Sequence, residues 1–209
     1  MELIEKDRVE AAQINVEQEL LKMDKTNYDS VNEMEEGLRP FEQLFSIILE
    51  FRDSYDKWMD GPFQGLDAES IRDVTQNMFK ELQTLQRKMP KAQGAKMVND
   101  ITRSKVDAFR REVPILQAIC SEGMQDRHWD MISEELGKDI RPTAETSLKN
   151  MLDMGVRDIL PKLEEVANAA NKEWELSKSL NKMKSEWANI LLDIQPYRDT
   201  GTYIVQGTD

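Results

Sequence analysis

Between Glu2 and Glu36 the chain holds neither glycine nor proline, and Glu, Lys, Gln, Leu and Ala dominate it. All five are strong helix formers, so the stretch reads as one acidic helix, roughly 50 Å long at 1.5 Å per residue. Its apolar positions, Ile4, Ala11, Ile14, Leu21, Tyr28 and Val31, fall at sevens, threes and fours, but Asp7, Gln18 and Lys25 interrupt them. A stripe that narrow packs on one neighbour only. The same economy runs through the 209 residues: 9 are Gly and 7 are Pro, while 33% are charged and 39% hydrophobic. That balance favours long helices with solvated faces over a sandwich or a barrel.

The few breakers divide the rest. Gly37 and Pro40 predict a kink or a break. Beyond them Met34, Leu38, Phe41, Phe45, Ile48, Tyr55 and Met59 keep a three-four rhythm, the mark of a core-facing helix that ends at Asp60-Gly61-Pro62. Asp67 can cap a third helix with Ile71, Val74, Met78, Leu82, Leu85 and Met89 on one face, stopped by Pro90. A fourth runs from about Ala92 to Arg111 and presents Val98, Ile101 and Phe109. Pro114 kinks the chain or opens a short fifth helix carrying Leu116 and Ile119, which Gly123 ends. The next, near Asp126 to Leu136, should bury Trp129 and Ile132, with Gly137 as its C-cap.

Thr143 or Thr146 is placed to cap a helix through Leu148 and Leu152 to Gly155. Leu160, Leu163, Val166 and Ala170 predict another helix, and Leu176, Leu180, Met183, Trp187, Ile190 and Ile194 give the cleanest seam of all. Pro196 ends it, and Thr200 to Val205 reads as one short strand after a turn. A lone strand needs a partner, so the chain is expected to stop within a larger fold. The expected class is all-α: an elongated multi-helix bundle with a short terminal β-strand or hairpin. Its expected regions are 1–36, the long acidic helix, then 37–112 and 113–209.

Charge and composition remove several functions. There are 28 basic and 40 acidic side chains, a formal charge of −12, and residues 1–60 alone hold 7 basic against 16 acidic. Phosphate binding needs concentrated Lys and Arg, so no nucleic-acid partner is expected. No apolar run approaches the ~20 residues that span a bilayer, so no membrane partner is expected either. The start Met1-Glu2-Leu3-Ile4-Glu5-Lys6 has no basic region leading into an apolar stretch. Cys120 is the single cysteine, which suits a reducing compartment. These readings together predict a soluble, intracellular chain.

The search for chemistry finds little. Gly137-Lys138 is followed by Asp139 and lacks the glycine of a P-loop, and there is neither GxGxxG nor CxxC. His128 and Cys120 stand on adjacent predicted helices without an oxyanion feature, and sequence proximity supplies no catalytic geometry. One His and one Cys do not make a zinc site, and Glu33, Glu35 and Glu36 lack the spacing of a calcium loop. Met34, Met59, Met78, Met89 and Met183 admit either a groove that repacks around partners or core packing, and their places on the seams favour the core. The expectation is no catalytic residue, no metal ligand and no cofactor site in this chain.

Three stretches say more: Trp58-Met59-Asp60-Gly61-Pro62-Phe63, then Met124-Gln125-Asp126-Arg127-His128-Trp129, then Pro196-Tyr197-Arg198-Asp199-Thr200-Gly201-Thr202-Tyr203-Ile204. They resemble three landmarks of the dynein heavy chain, in that family's order, in the region where the tail runs into the linker, and the first and third look like those of axonemal heavy chains. The helix from Leu163 through Trp187 is similar to the same family. The resemblance covers roughly residues 40–209 and leaves the axonemal arm open. It implies a segment of a minus-end-directed microtubule motor, in which the linker is the lever that carries ATP-driven changes of the motor ring to the tail. On this reading 1–36 ends the tail, 37–112 is tail or neck, and 113–209 is the N-terminal part of the linker.

The resemblance further implies partners in the motor ring, in intermediate and light chains and in other axonemal heavy chains, with microtubules reached only through other regions. ATP and Mg would bind in the ring, outside this segment, and the setting would be the axoneme of a cilium or flagellum. Gly37, Pro40, Gly61, Pro114, Gly123 and Gly155 are candidate breaks in a lever. Trp129 is expected as a buried anchor, Arg127 and His128 as residues facing a partner, and Arg198 and Asp199 as fixing the turn. The alternative reading is a spectrin-like or coiled-coil scaffold, which explains the helices and the acidity equally well.

Overall fold

A computed structural model describes residues 2–89, 92–190 and 192–208, which form eight α-helices and a two-stranded antiparallel hairpin. The chain divides into two compact units, Met1–Pro114 with Ala144–Asn150, and Ile115–Thr143 with Met151–Asp209.

In the first unit, α1 (Glu2–Leu20) packs on α2 (Asp29–Asp60). The expected single helix to Glu36 is interrupted. Lys22 takes a left-handed backbone (φ 58°), Met23 N–H donates to Gln18 O at 2.8 Å and Lys22 N–H to Glu19 O at 3.1 Å. These two bonds are the Schellman pattern that closes a helix. The following turn is fastened back on α1, since Thr26 N–H donates to Asn15 Oδ1 and to Gln18 Oε1. Asn27 Oδ1 then accepts from Asp29 N–H at 2.8 Å as α2 begins. No glycine marks this reversal, which is why composition hides it.

The expected break at Gly37 and Pro40 does not occur, and α2 runs through both for 32 residues. Pro40 removes one N–H, leaving the Glu36 carbonyl without its helical donor, but the packing beyond it carries the helix on. The buried face of α2 is Leu44, Ile47, Phe51 and Trp58. The expected stripe lies beside it, and its Met34, Leu38, Phe45 and Tyr55 are exposed. Both stripes have helical spacing, and the one carrying the largest rings wins the core.

Asp67 caps α3 (Ala68–Lys88) as expected, its carboxylate accepting from Ser70 N–H at 3.0 Å. Ile71, Met78, Leu82, Leu85 and Met89 are buried; Pro90, the expected stop, lies outside the described residues. In α4 (Gln93–Arg110) Phe109 is buried, but Val98 and Ile101 face outward while Asn99, Thr102 and Val106 go in. Asn99 Nδ2 donates to Leu82 O at 3.0 Å and Thr102 Oγ1 to Val98 O at 2.9 Å. Those bonds reduce the cost of burying polar atoms, so the inward phase is one that hydropathy alone does not select.

In the second unit α6 (Asp126–Leu136) and a 3₁₀ turn, Val156–Ile159, pack on α8 (Leu160–Trp187). Ile132, Ile140, Met151, Val156, Leu163, Val166 and Ala170 are buried there. Leu116 and Ile119 of α5 (Val113–Ile119) are also buried, and Gly137 closes α6 with φ 68°, as a C-cap requires. The residue directly before short α7 (Leu148–Asp153) is Ser147, where Thr143 or Thr146 is expected as the cap: its Oγ accepts from Asn150 N–H at 3.2 Å while Asn150 Oδ1 accepts from Ser147 N–H at 2.9 Å.

The two helices expected over residues 160–194 are one, α8, of 28 residues ending at Trp187. Its first half is buried through Leu163, Val166, Ala167 and Ala170. Its second half is not: Leu176, Leu180, Met183 and Trp187 are exposed. Ile194, expected on the same seam, lies in a strand, β1 (Leu192–Tyr197). The terminal strand therefore has a partner within the chain. β1 pairs antiparallel with β2 (Thr202–Thr208), from Tyr197↔Thr202 to Leu192↔Thr208, with a register shift between Asp193 and Ile194.

Candidate functional site

The three motif stretches occupy three separate settings. Trp58 ends α2, stacked on Phe109 of α4 with ring centroids 5.1 Å apart and edge-on to Phe51 at 6.4 Å. Such ring pairs contribute ~0.5–1.5 kcal/mol beyond area burial. Gly61 N–H donates to Lys57 O at 3.2 Å, and a Cβ on Gly61 would stand only 2.4 Å from that oxygen. The next two residues are held by the segment Ala144–Asn150. Pro62 bridges to Ser147, and buried Phe63 donates its N–H to Thr146 O at 3.0 Å. Lys149 Nζ reaches Asp60 Oδ1 at 3.1 Å. This motif is a clasp between distant parts of the first unit.

The second stretch starts α6. Gln125 and His128 form a reciprocal cap, in which Gln125 N–H donates to His128 Nδ1 at 3.1 Å. With Nδ1 accepting, a neutral His128 carries its proton on Nε2, and Nε2 lies 3.3 Å from Glu173 Oε2 on α8. Arg127 donates to the same carboxylate oxygen at 2.5 Å. His128 is 3% exposed, so the expectation that it faces a partner is corrected. A backbone cap and a carboxylate of its own unit hold it inside. Trp129 is buried, as expected of an anchor. Just before, Gly123 lies against α8 so closely that a Cβ would stand 2.3 Å from Ala170 O.

The third stretch is the hairpin. Arg198 (φ 51°) and Gly201 (φ 72°) supply the left-handed backbone of the turn. Thr200 Oγ1 donates to Tyr197 O at 2.5 Å and lies 2.8 Å from Thr202 Oγ1. The Arg198 guanidinium sits over the Tyr197 ring at 5.3 Å. Arg198 and Asp199 thus stand in the turn as expected. Ile194, Pro196, Tyr203 and Val205 share one face by pairing and alternation, and Ile194, Tyr203 and Val205 are exposed. Trp187 closes α8, exposed.

Among the described residues no three His, Cys, Asp or Glu side chains converge as a metal-binding group, and no helix is long and apolar enough to cross a membrane. Of the five methionines assigned to seams, Met78 and Met89 are buried, whereas Met34 and Met183 are exposed. Core packing thus explains only some of them. The residues that sequence reasoning missed as partners of the motifs are Glu173, Thr146 and Ser147. No local pattern points to them, because each acts on a motif far away along the chain.

The family model described as "Dynein heavy chain, N-terminal region 2" matches residues 31–209, nearly the whole chain and all three motif stretches. The chain belongs to the dynein heavy chains. It is 38% identical over 196 residues to "Dynein axonemal heavy chain 3" of Homo sapiens, an alignment covering 94% of this chain and 5% of that protein. It is 33% identical over 201 residues to "Dynein axonemal heavy chain 12" of Homo sapiens, covering 94% and 6%. With "Dynein axonemal heavy chain 1" of Rattus norvegicus the identity is 29% over 187 residues, covering 88% and 4%. The chain thus spans about one twentieth of the length of these heavy chains.

Proposed function

We propose that this segment joins the tail to the linker of an axonemal dynein heavy chain and transmits displacement along its helices in ciliary or flagellar beating. The match to the N-terminal region over residues 31–209 carries the reading. In the whole heavy chain, ATP and Mg are bound by a ring outside this segment, and the motor moves toward microtubule minus ends through regions also outside it. The segment itself contributes no catalytic group. Its partners are that ring, the intermediate and light chains and neighbouring heavy chains, in the axoneme.

The physical support is stiffness. The 28-residue α8 and the 32-residue α2 are each anchored over part of their length by a packed core. Tertiary packing rather than propensity is what makes helices persist as rods. The test is Lys178→Pro in the full-length heavy chain, which interrupts α8 at an exposed interior position, with Lys178→Ala as its control. ATP turnover should persist while microtubule gliding slows at least twofold in the proline variant alone. Equal gliding by both variants would sink the lever reading.

A further inference from the structure

The stripe of α2 that core packing leaves outside is itself a regular surface. Met34, Leu38, Phe45 and Leu49 are 56%, 47%, 56% and 50% exposed. They stand four, seven and four residues apart, which at 3.6 residues per turn keeps all four within about 60° around the helix axis. Half-buried Phe41 and Ile48 lie between this ridge and the core. The ridge is ~22 Å long at helical rise. Contiguous apolar surface of this kind marks an interaction site, and an aromatic ring such as that of Phe45 is enriched at the centre of one.

Charge selects the partner. α2 carries nine acidic side chains and three basic ones. Arg39 and Arg52 are each taken by a carboxylate of the same helix, Glu35 at 3.2 Å and Asp53 at 3.0 Å, and Arg8 of α1 also reaches Glu35 at 3.6 Å. Glu33, Glu36, Glu42, Glu50 and Asp56 enter no ion pair among the described residues. By helical spacing Glu42 and Asp56 border the ridge. An occupant must therefore be apolar along one face and cationic beside it. A second copy of this chain does not qualify, because two-fold pairing would set the same carboxylates against one another. A bilayer does not either, since anionic headgroups repel an acidic face.

We propose that the exposed ridge of α2 is a docking surface for a basic amphipathic helix of a separate polypeptide, about four turns long. Its apolar face packs on Leu38 and Phe45, and its lysines or arginines meet Glu42 and Asp56. The proposal rests on the surface of α2 and not on the lever reading, which the gliding assay tests separately.

The probe is a fluorescent peptide of about 18 residues, with leucine at heptad positions a and d and lysine at e and g. It is titrated into the 209-residue chain and read by anisotropy. It should bind one to one and weaken as salt rises. A scrambled peptide of the same composition, and one with glutamate for lysine, should bind at least about tenfold more weakly. Leu38→Ser with Phe45→Ser, and separately Glu42→Lys with Asp56→Lys, should each lower affinity about tenfold. Neither pair should lower the melting temperature, because all four side chains are exposed. Val9→Ser with Val16→Ser, exposed apolar positions on acidic α1, should leave affinity within about twofold. Under hydroxyl radicals Met34 should oxidise as fast in the full-length heavy chain freed of other subunits as in the 209-residue chain.

Equal binding of the scrambled peptide overturns the proposal, as does unchanged affinity of the α2 variants. Protection of Met34 in the heavy chain alone also overturns it, since the ridge would then be covered from within. Self-association of the 209-residue chain, or its capture by phosphatidylserine vesicles, overturns it as well if Phe45→Ser abolishes either.

Discussion

Gly123→Ala adds one methyl group at a place with no room for it. The new Cβ would stand 2.3 Å from Ala170 O, 2.5 Å from Ala170 C and 2.8 Å from Asn171 N, where ordinary contact is 3.4–4 Å. All three obstacles are backbone of α8, so no side chain can swing aside, and the two segments must separate by about 1 Å. The stretch of α8 that would move carries buried Val166, Ala167 and Ala170, and Asn171, whose Oδ1 accepts from Ser121 Oγ at 2.6 Å. Overpacking of a filled core costs ~1–3 kcal/mol, and a lost hydrogen bond adds ~1 kcal/mol. The expected loss is therefore ~2–4 kcal/mol.

Urea titration followed by far-UV circular dichroism measures that loss, and amide exchange over Leu163–Ala170 assigns it to the second unit. Gly94→Ala is the internal control, because Gly94 lies in α4 with nothing within 4 Å of its Cβ position. Gly94 stands in the first turn of α4, so the change should be neutral or gain no more than the ~0.5–1 kcal/mol of alanine over glycine in mid-helix. If Gly123→Ala is as stable as the unaltered chain while Gly94→Ala behaves as stated, the close-approach argument is wrong.

Phe109→Ala removes the ring that meets Phe51, Tyr55 and Trp58 in the first unit. It should cost ~3–5 kcal/mol in the same titration, and a loss below ~1 kcal/mol would mean the cluster is incidental. Glu19 gives a pH-dependent check. Its hydrogen bond with Lys25, and then the ammonium charge, hold its carboxyl below the ordinary carboxylate range. A depressed carboxyl contributes stability above its unfolded pKa and loses it as pH falls through the folded value. The NMR titration midpoint of Glu19 should lie below that of the urea-unfolded chain and rise in Lys25→Ala; an unchanged midpoint would reject the pair.

The helical class and most helix ends were legible because caps are local. Asp67, Gly137 and the Asp60-Gly61-Pro62 turn each act within a few residues of where they stand. What misled was phase. Residues 34–59 contain two interleaved apolar stripes of helical spacing, and the buried one carries Phe51 and Trp58, both packed on Phe109. In α4 the buried face includes Asn99 and Thr102, polar residues that a hydropathy reading turns outward. In α8 regular spacing does not bring burial, for Leu176, Leu180, Met183 and Trp187 are exposed. The motif residues were found through resemblance, but Glu173 and Thr146, which hold them, are set by tertiary geometry alone.

The clasp at the end of α2 has a consequence for the order in which the protein is made. Asp60 and Lys149 are 89 residues apart in the chain, and the bridge from Pro62 ends on Ser147. At ~5–20 residues per second, a ribosome finishes Lys149 roughly 4–18 s after Asp60. Until then helices α2 to α4 can assemble, but the loop at Phe63 must wait, its N–H unmet by Thr146. A fusion junction or stop codon at residue 112 would therefore leave a nascent first unit that never receives its last strap.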